Sequence, residues 1–95
     1  MKKEGPDEEY WETADEFIKL ANKLCEKAPS GKVSSALLYA SARYSAFVLA
    51  TTVDDAEEMK KDRDKAIKYF TEQYKNMLID NLDDYIEHHK EYIKK

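Results

Sequence analysis

The sequence contains few of the residues that interrupt helices. Two Gly and two Pro occur in 95 residues, and all four lie before Val33. Because Gly and Pro are the residues that most often end helices and form turns, the rest of the chain lacks the signals of many short strands joined by tight turns. Ala, Leu, Glu, Lys and Tyr are common instead, a composition typical of helices.

Cysteine and net positive charge are also scarce. Cys25 is the single cysteine, so no intramolecular disulfide can form, and the net charge of -4 gives no long-range attraction to phosphate groups. Residues 1–9 are polar and charged and lack the apolar stretch of a signal peptide. We therefore expect a cytoplasmic protein that binds neither nucleic acid nor membrane.

One segment is nearly long enough to span a bilayer. Residues 33–53 contain a single charged residue, Arg43, but serines and threonines dilute the hydropathy of the segment. An arginine in the middle of a span would cost about 2.5 to 3.5 kcal/mol on the insertion scale. The segment is therefore predicted to be a buried core helix of a globular domain.

A first helix is predicted from apolar residues at steps of three and four between Tyr10 and Ala28. Its start has two candidate signals: Asp7 as an N-cap, or a capping box formed by Thr13 and Glu16. Residues 29–31, Pro-Ser-Gly, are expected to end this helix and to form a short connection between antiparallel neighbours.

The second helix is predicted from about Val33 to about Thr52, with Ser30 or Ser34 as its N-cap. Its apolar residues cover two stripes, so the helix is apolar nearly all round. Such a helix normally lies between other helices, and we expect it at the centre of the fold.

A third apolar stripe follows Asp55 and continues in phase to Tyr92. Asp80 and Asn81 are candidate caps of a separate fourth helix, and one long, bent helix is the alternative. The predicted fold is all-α: a small up-and-down bundle of three main helices with a C-terminal helical extension. Residues 1–6 are predicted to be a flexible N-terminal tail, and residues 7–95 a single helical domain.

Three segments of the chain together resemble the sequences of a known family. They are Leu-Ala-Asn at 20–22, Ala-Leu-Leu-Tyr-Ala-Ser-Ala-Arg-Tyr-Ser-Ala-Phe-Val at 36–48, and the segment 74–86 that ends Asn-Leu-Asp-Asp-Tyr-Ile. Together they resemble a family of short bacterial proteins known only as a domain of unknown function. The resemblance implies a small helical bacterial protein, and it implies no activity, substrate or partner.

Arg43 is the most informative single residue, because a guanidinium in a buried helix needs a carboxylate, a carbonyl or a bound anion. An internal ion pair with a carboxylate of the first or third helix is one interpretation. The other is that Arg43, with Tyr39 and Tyr44 beside it, lines a pocket or a groove for a partner.

The segment 80–89 is rich in carboxylates and contains both histidines. The Glu-x-x-His unit of metal-binding helical bundles is absent, since Tyr85 and Ile86 occupy the positions three before His88 and His89. We predict a solvated acidic face, with no metal and no cofactor. Cys25 falls on the apolar stripe of the first helix, and we expect it to be buried and unreactive.

Seven tyrosines are spread over all three helical regions, and tyrosine is favoured at protein interfaces. The apolar stripe of the C-terminal segment is also broad for the last helix of a small bundle. A homodimer or a partner helix that covers it is the favoured interpretation.

The favoured function is a non-enzymatic protein-interaction or accessory module. No nucleophile, base and orienting group match by spacing, so an enzyme is the weaker hypothesis. The alternative is a small anionic ligand-binding protein, or less plausibly an enzyme, with a pocket around Arg43. The residues predicted to bind a ligand or a partner are Arg43, Tyr39, Tyr44, Asp83, Asp84 and Tyr85.

Overall fold

The computed structural model of the protein describes residues 7–93. Over this range the chain forms four helices and no strand: α1 (Glu8–Leu24), α2 (Ser30–Thr51), α3 (Ala56–Glu87) and α4 (His89–Tyr92). The predicted class, all-α with three main helices and a C-terminal helical extension, is confirmed. The described chain divides after Val53 into two compact units. The tail predicted at residues 1–6 lies outside the described residues.

The first unit begins with a side-chain cap. The carboxylate of Asp7 accepts a hydrogen bond of 2.6 Å from the backbone N–H of Tyr10, and Glu8 and Glu9 favour the positive end of the helix dipole. Thr13 lies inside α1. The alternative start at Thr13 is therefore wrong, and the start at Asp7 is confirmed.

Helix α2 begins without a side-chain cap. Pro29 is the N-cap residue, and its carbonyl accepts backbone hydrogen bonds from Lys32 at 3.0 Å and from Val33 at 3.1 Å. The predicted serine caps are both wrong, because the helix already starts at Ser30, one turn earlier than expected. Helices α1 and α2 contact each other across a connection of five residues, 25–29, and form a helical hairpin.

Burial in α2 differs from the sequence-based expectation. Val33, which is 8% exposed, is the one residue of α2 that is buried, while Ser45 and Leu49 are half-buried. Among the described residues of its own unit α2 has a single neighbouring helix, α1, and one neighbouring helix covers only one side of another. The prediction of a buried core helix is therefore corrected: most of the apolar side chains of α2 are exposed.

The second unit begins with reciprocal capping. Asp55 accepts a hydrogen bond of 2.9 Å from the N–H of Glu58, and the Glu58 carboxylate accepts one of 3.2 Å from the N–H of Asp54. From this start α3 runs without interruption for 32 residues.

The continuous α3 decides between the two C-terminal alternatives. Asn81 lies inside the helix and its amide donates to the carbonyl of Met77 at 2.8 Å, so it caps no separate helix. The break comes later, at His88, whose φ of -114° and ψ of 28° leave the helical region before the single turn of α4. None of the helices in the described range is long and apolar enough to cross a membrane.

Candidate functional site

The side of α2 that faces away from the half-buried residues carries Arg43. An α-helix turns about 100° per residue, so Arg43 and Phe47 lie about 160° to either side of Ser45. Because Ser45 is half-buried, both residues project from the opposite side of the helix. Arg43 and Phe47 themselves are exposed, whereas Val33, the buried residue of α2, lies about 40° from Phe47 around the helix.

An exposed stripe continues along this side of α2, with its members three or four residues apart, the spacing of one helix face. We call it the Arg43 face. Tyr39 is 66% exposed and Phe47 is 59% exposed, so two large aromatic side chains are open to solvent there. The face consists of Lys32, Ala36, Tyr39, Arg43, Phe47 and Ala50, all exposed.

Arg43 itself has no charged partner among the described residues. Its side chain is exposed, and within residues 7–93 it makes no ion pair and no hydrogen bond. The internal ion pair was expected because α2 was predicted to be buried, and that reason does not hold. An exposed guanidinium keeps its hydration and needs no internal carboxylate.

Tyr44 lies at the edge of the Arg43 face, about 100° around the helix from Arg43. It is 67% exposed, and its ring centroid is 6.0 Å from that of Phe47, with the planes tilted by 38°. The structure thus places the three predicted residues on neighbouring surfaces of one helix. Phe47 was not among the predicted site residues, but it lies on the same face as Arg43. Its position four residues after Arg43 in the sequence could have indicated this.

Asp84 and Tyr85 belong to a different arrangement, in the second unit. With His88 and Tyr92 they form what we call the C-terminal cluster. The Tyr92 hydroxyl donates to the Asp84 carboxylate at 2.9 Å, and the rings of Tyr85 and Tyr92 lie 4.6 Å apart. The fourth predicted residue of this region, Asp83, is exposed.

Three carboxylates lie close to the imidazole of His88. Its Nδ1 atom lies 3.3 Å from the carboxylate of Glu91, and its Nε2 atom lies 3.8 Å from that of Glu87 and 4.0 Å from that of Asp84. The hydrogen bond to Asp84, then desolvation and the nearby negative charge, raise the pKa of Tyr92 above its ordinary value of 10.0. The Asp84 carboxylate is thus engaged inside the cluster.

Two further predictions concern metal binding and the single cysteine. Residues 7–93 hold no group of three or more His, Cys, Asp or Glu side chains placed to bind a metal ion. Cys25 is exposed, which corrects the expectation of a buried thiol: α1 ends at Leu24, so Cys25 follows the helix as its C-cap. The predicted pocket around Arg43 stays a prediction.

Comparisons with known proteins agree with the fold. The chain is similar to the protein NB7890A from Shewanella sp., whose structure was solved by NMR; the two are 31% identical, with a TM-score of 0.76, over 96% of this chain and 95% of that chain. No curated protein matches the chain. The profile of the family described as "Protein of unknown function (DUF3144)" matches residues 10–86. The chain therefore belongs to the DUF3144 family.

Proposed function

We propose that this protein is a non-enzymatic interaction module of the cytoplasm that binds a protein partner through the Arg43 face. The observation that supports the proposal is the exposure of Tyr39 and Phe47 on either side of Arg43, which has no charged partner within residues 7–93. Arginine and the aromatic residues are the side chains that contribute most to binding at protein interfaces. Because all three side chains are exposed, none of them forms part of the core of the first unit.

The C-terminal cluster is a weaker candidate for the binding surface. The polar atoms of Asp84, His88 and Tyr92 already contact one another or their helical neighbours. A partner would have to displace these contacts before it could form its own, which lowers the net gain on binding. The Arg43 face requires no such displacement.

Site-specific photo-crosslinking in the source cells tests the proposal. A benzoylphenylalanine in place of Tyr39 should form a discrete crosslinked species on illumination. Tyr69 is the matched control, since it is also an exposed tyrosine, 59% exposed, but lies on α3. A discrete species at Tyr39 that is absent at Tyr69 supports the proposal, and the same products at both positions contradict it.

Native mass spectrometry of the tagged protein, isolated gently from the same cells, separates the possible occupants. A stoichiometric protein adduct supports the proposal, and a second copy of the chain specifies self-association. A monomer that carries a small anion, lost in Arg43→Gln, would favour the ligand-binding alternative. A bare monomer without a crosslink at Tyr39 contradicts both functions.

A further inference from the structure

Helix α2 differs in charge from the rest of the protein. It contains two cations, Lys32 and Arg43, and no Asp or Glu, whereas the whole chain has a net charge of -4. The two cations are eleven residues apart, which is about three helical turns. They therefore lie on the same side of α2, about 16 Å apart along its axis.

Exposed aromatic residues accompany the two cations. Tyr39 lies between Lys32 and Arg43, and Phe47 lies one turn beyond Arg43. Steps of three and four residues are the spacing with which one helix packs along another. A partner helix has the same periodicity, so side chains three turns apart on it would meet Lys32 and Arg43 together.

We propose that the Arg43 face binds an acidic amphipathic helix of a different protein. Two carboxylates of that helix, three turns apart, pair with Lys32 and Arg43, and its apolar side chains cover Tyr39 and Phe47. The inference rests on the proposed function and specifies the partner through charge complementarity.

Pairing of α2 with the α2 helix of a second copy is a poorer arrangement on the same face. The midpoint of α2 lies between Ala40 and Ser41, so Arg43 is less than one turn from it. If two α2 helices packed antiparallel about a two-fold axis there, the two Arg43 side chains would be about 8 Å apart along the helices. Since α2 has no carboxylate to separate these like charges, pairing of two α2 helices is disfavoured.

Three designed peptides test the partner class on the full chain. Each is a capped, alanine-based helix with the same apolar stripe. The first carries two Glu eleven residues apart beside the stripe, the second carries Lys at the same two positions, and the third carries two Glu seven residues apart. Fluorescence anisotropy of labelled peptides gives the Kd values at low ionic strength and with added salt.

We expect the first peptide to bind at least about fivefold more tightly than the second, with a preference that added salt weakens. The net charge of -4 would by itself favour the lysine peptide, so this result reports the local charge of α2. The third peptide should bind more weakly than the first, because only one of its carboxylates can meet a cation. Equal binding of the first two, or tighter binding of the lysine peptide, overturns the inference.

A charge reversal provides the matched variant. Arg43→Glu should reverse the preference and favour the lysine peptide. Arg63→Glu changes the net charge equally but lies on α3, where Arg63 pairs with Asp64 at 2.8 Å, and it should leave the preference unchanged. If both variants shift the preference equally, the effect is one of net charge, and the inference is wrong.

Failure of this inference is distinguishable from failure of the proposed function. Crosslinking at Tyr39 without binding of any peptide would overturn the acidic helix and leave the interaction module standing. A concentration-dependent dimer in sedimentation experiments, lost in Phe47→Ala, would show that a second copy occupies the face and would also overturn the inference.

Discussion

The Arg43 face and the C-terminal cluster contain similar residues, tyrosines beside charged side chains. The two regions differ in the hydrogen bonds and ionic contacts that these side chains make. In the C-terminal cluster Asp84 accepts the hydrogen bond of Tyr92, and His88 lies within 4.0 Å of its carboxylate. On the Arg43 face the guanidinium has no partner within residues 7–93. Tyrosine and charged side chains therefore stabilise the chain locally in the C-terminal cluster, whereas on the Arg43 face they remain available to a partner.

The difference arises from backbone geometry. At the C-terminal cluster the helix breaks at His88, and the following turn returns Tyr92 toward Asp84. Helix α2 continues without a break past Arg43, so its side chains follow the regular helical spacing. Changes in the Arg43 face should consequently alter binding without altering the fold, and changes in the C-terminal cluster should do the opposite.

The largest expected effect is on binding, from Phe47→Ala. Loss of an aromatic side chain that a partner buries at an interface commonly costs about 2 kcal/mol, which is roughly a thirtyfold increase in Kd. We expect this loss for the crosslinked partner or for the first designed peptide, measured by anisotropy. The melting temperature by circular dichroism should stay nearly unchanged, because Phe47 is 59% exposed. A large drop in melting temperature would place Phe47 in a core instead.

A smaller effect is expected from Tyr92→Phe, which removes the hydroxyl that donates to Asp84. Amide hydrogen exchange at Tyr92 and Ile93, whose N–H groups bond to the carbonyls of His88 and His89, should accelerate by a factor of about two to five. Exchange in α2 is the internal control and should not change. Unchanged exchange in α4 would show that the hydroxyl does not hold this turn.

Ionisation of Tyr92 at high pH should have a still smaller effect on α4. Ionisation of its hydroxyl breaks the hydrogen bond to Asp84 and places two negative charges together, which is why the pKa is raised. The bond therefore stabilises α4 fully below pH 10.0 and is lost as pH rises through the raised pKa. Asp84→Asn should lower this pKa, measured from the ¹³C shift of the phenol carbon. An unchanged pKa would assign the shift to desolvation and to the charges of Tyr85 and Glu91.

Local signals were sufficient to predict much of the fold. The cap at Asp7 and the start after Asp55 depend on side chains within three residues of the N–H groups that they bind. The absence of Gly and Pro beyond Val33 agrees with the uninterrupted α3. The helix starts and the uninterrupted α3 all follow from residues close together in the sequence, so no tertiary information was needed to predict them.

The features that were missed depend on geometry beyond nearest neighbours. In a continuous helix, Asp84 and Tyr92 would be turned about 80° apart and separated by about 12 Å along the axis, so their spacing predicts no contact. The break at His88 creates it. The exposure of Arg43 likewise depends on how many helices pack against α2. The apolar composition of α2 alone predicted more burial than the structure shows.

The smallest expected effect is that of Arg43→Ala on stability, and it is also the sharpest test of the comparison. An exposed side chain without a charged partner should change the free energy of unfolding by no more than about 0.5 kcal/mol. If Arg43 instead belonged to a buried ion pair, its loss would cost about 3 to 5 kcal/mol. Urea unfolding followed by circular dichroism separates these values easily. A small change together with reduced partner binding would assign Arg43 to recognition, since the same substitution would then weaken the complex while the free protein stayed folded.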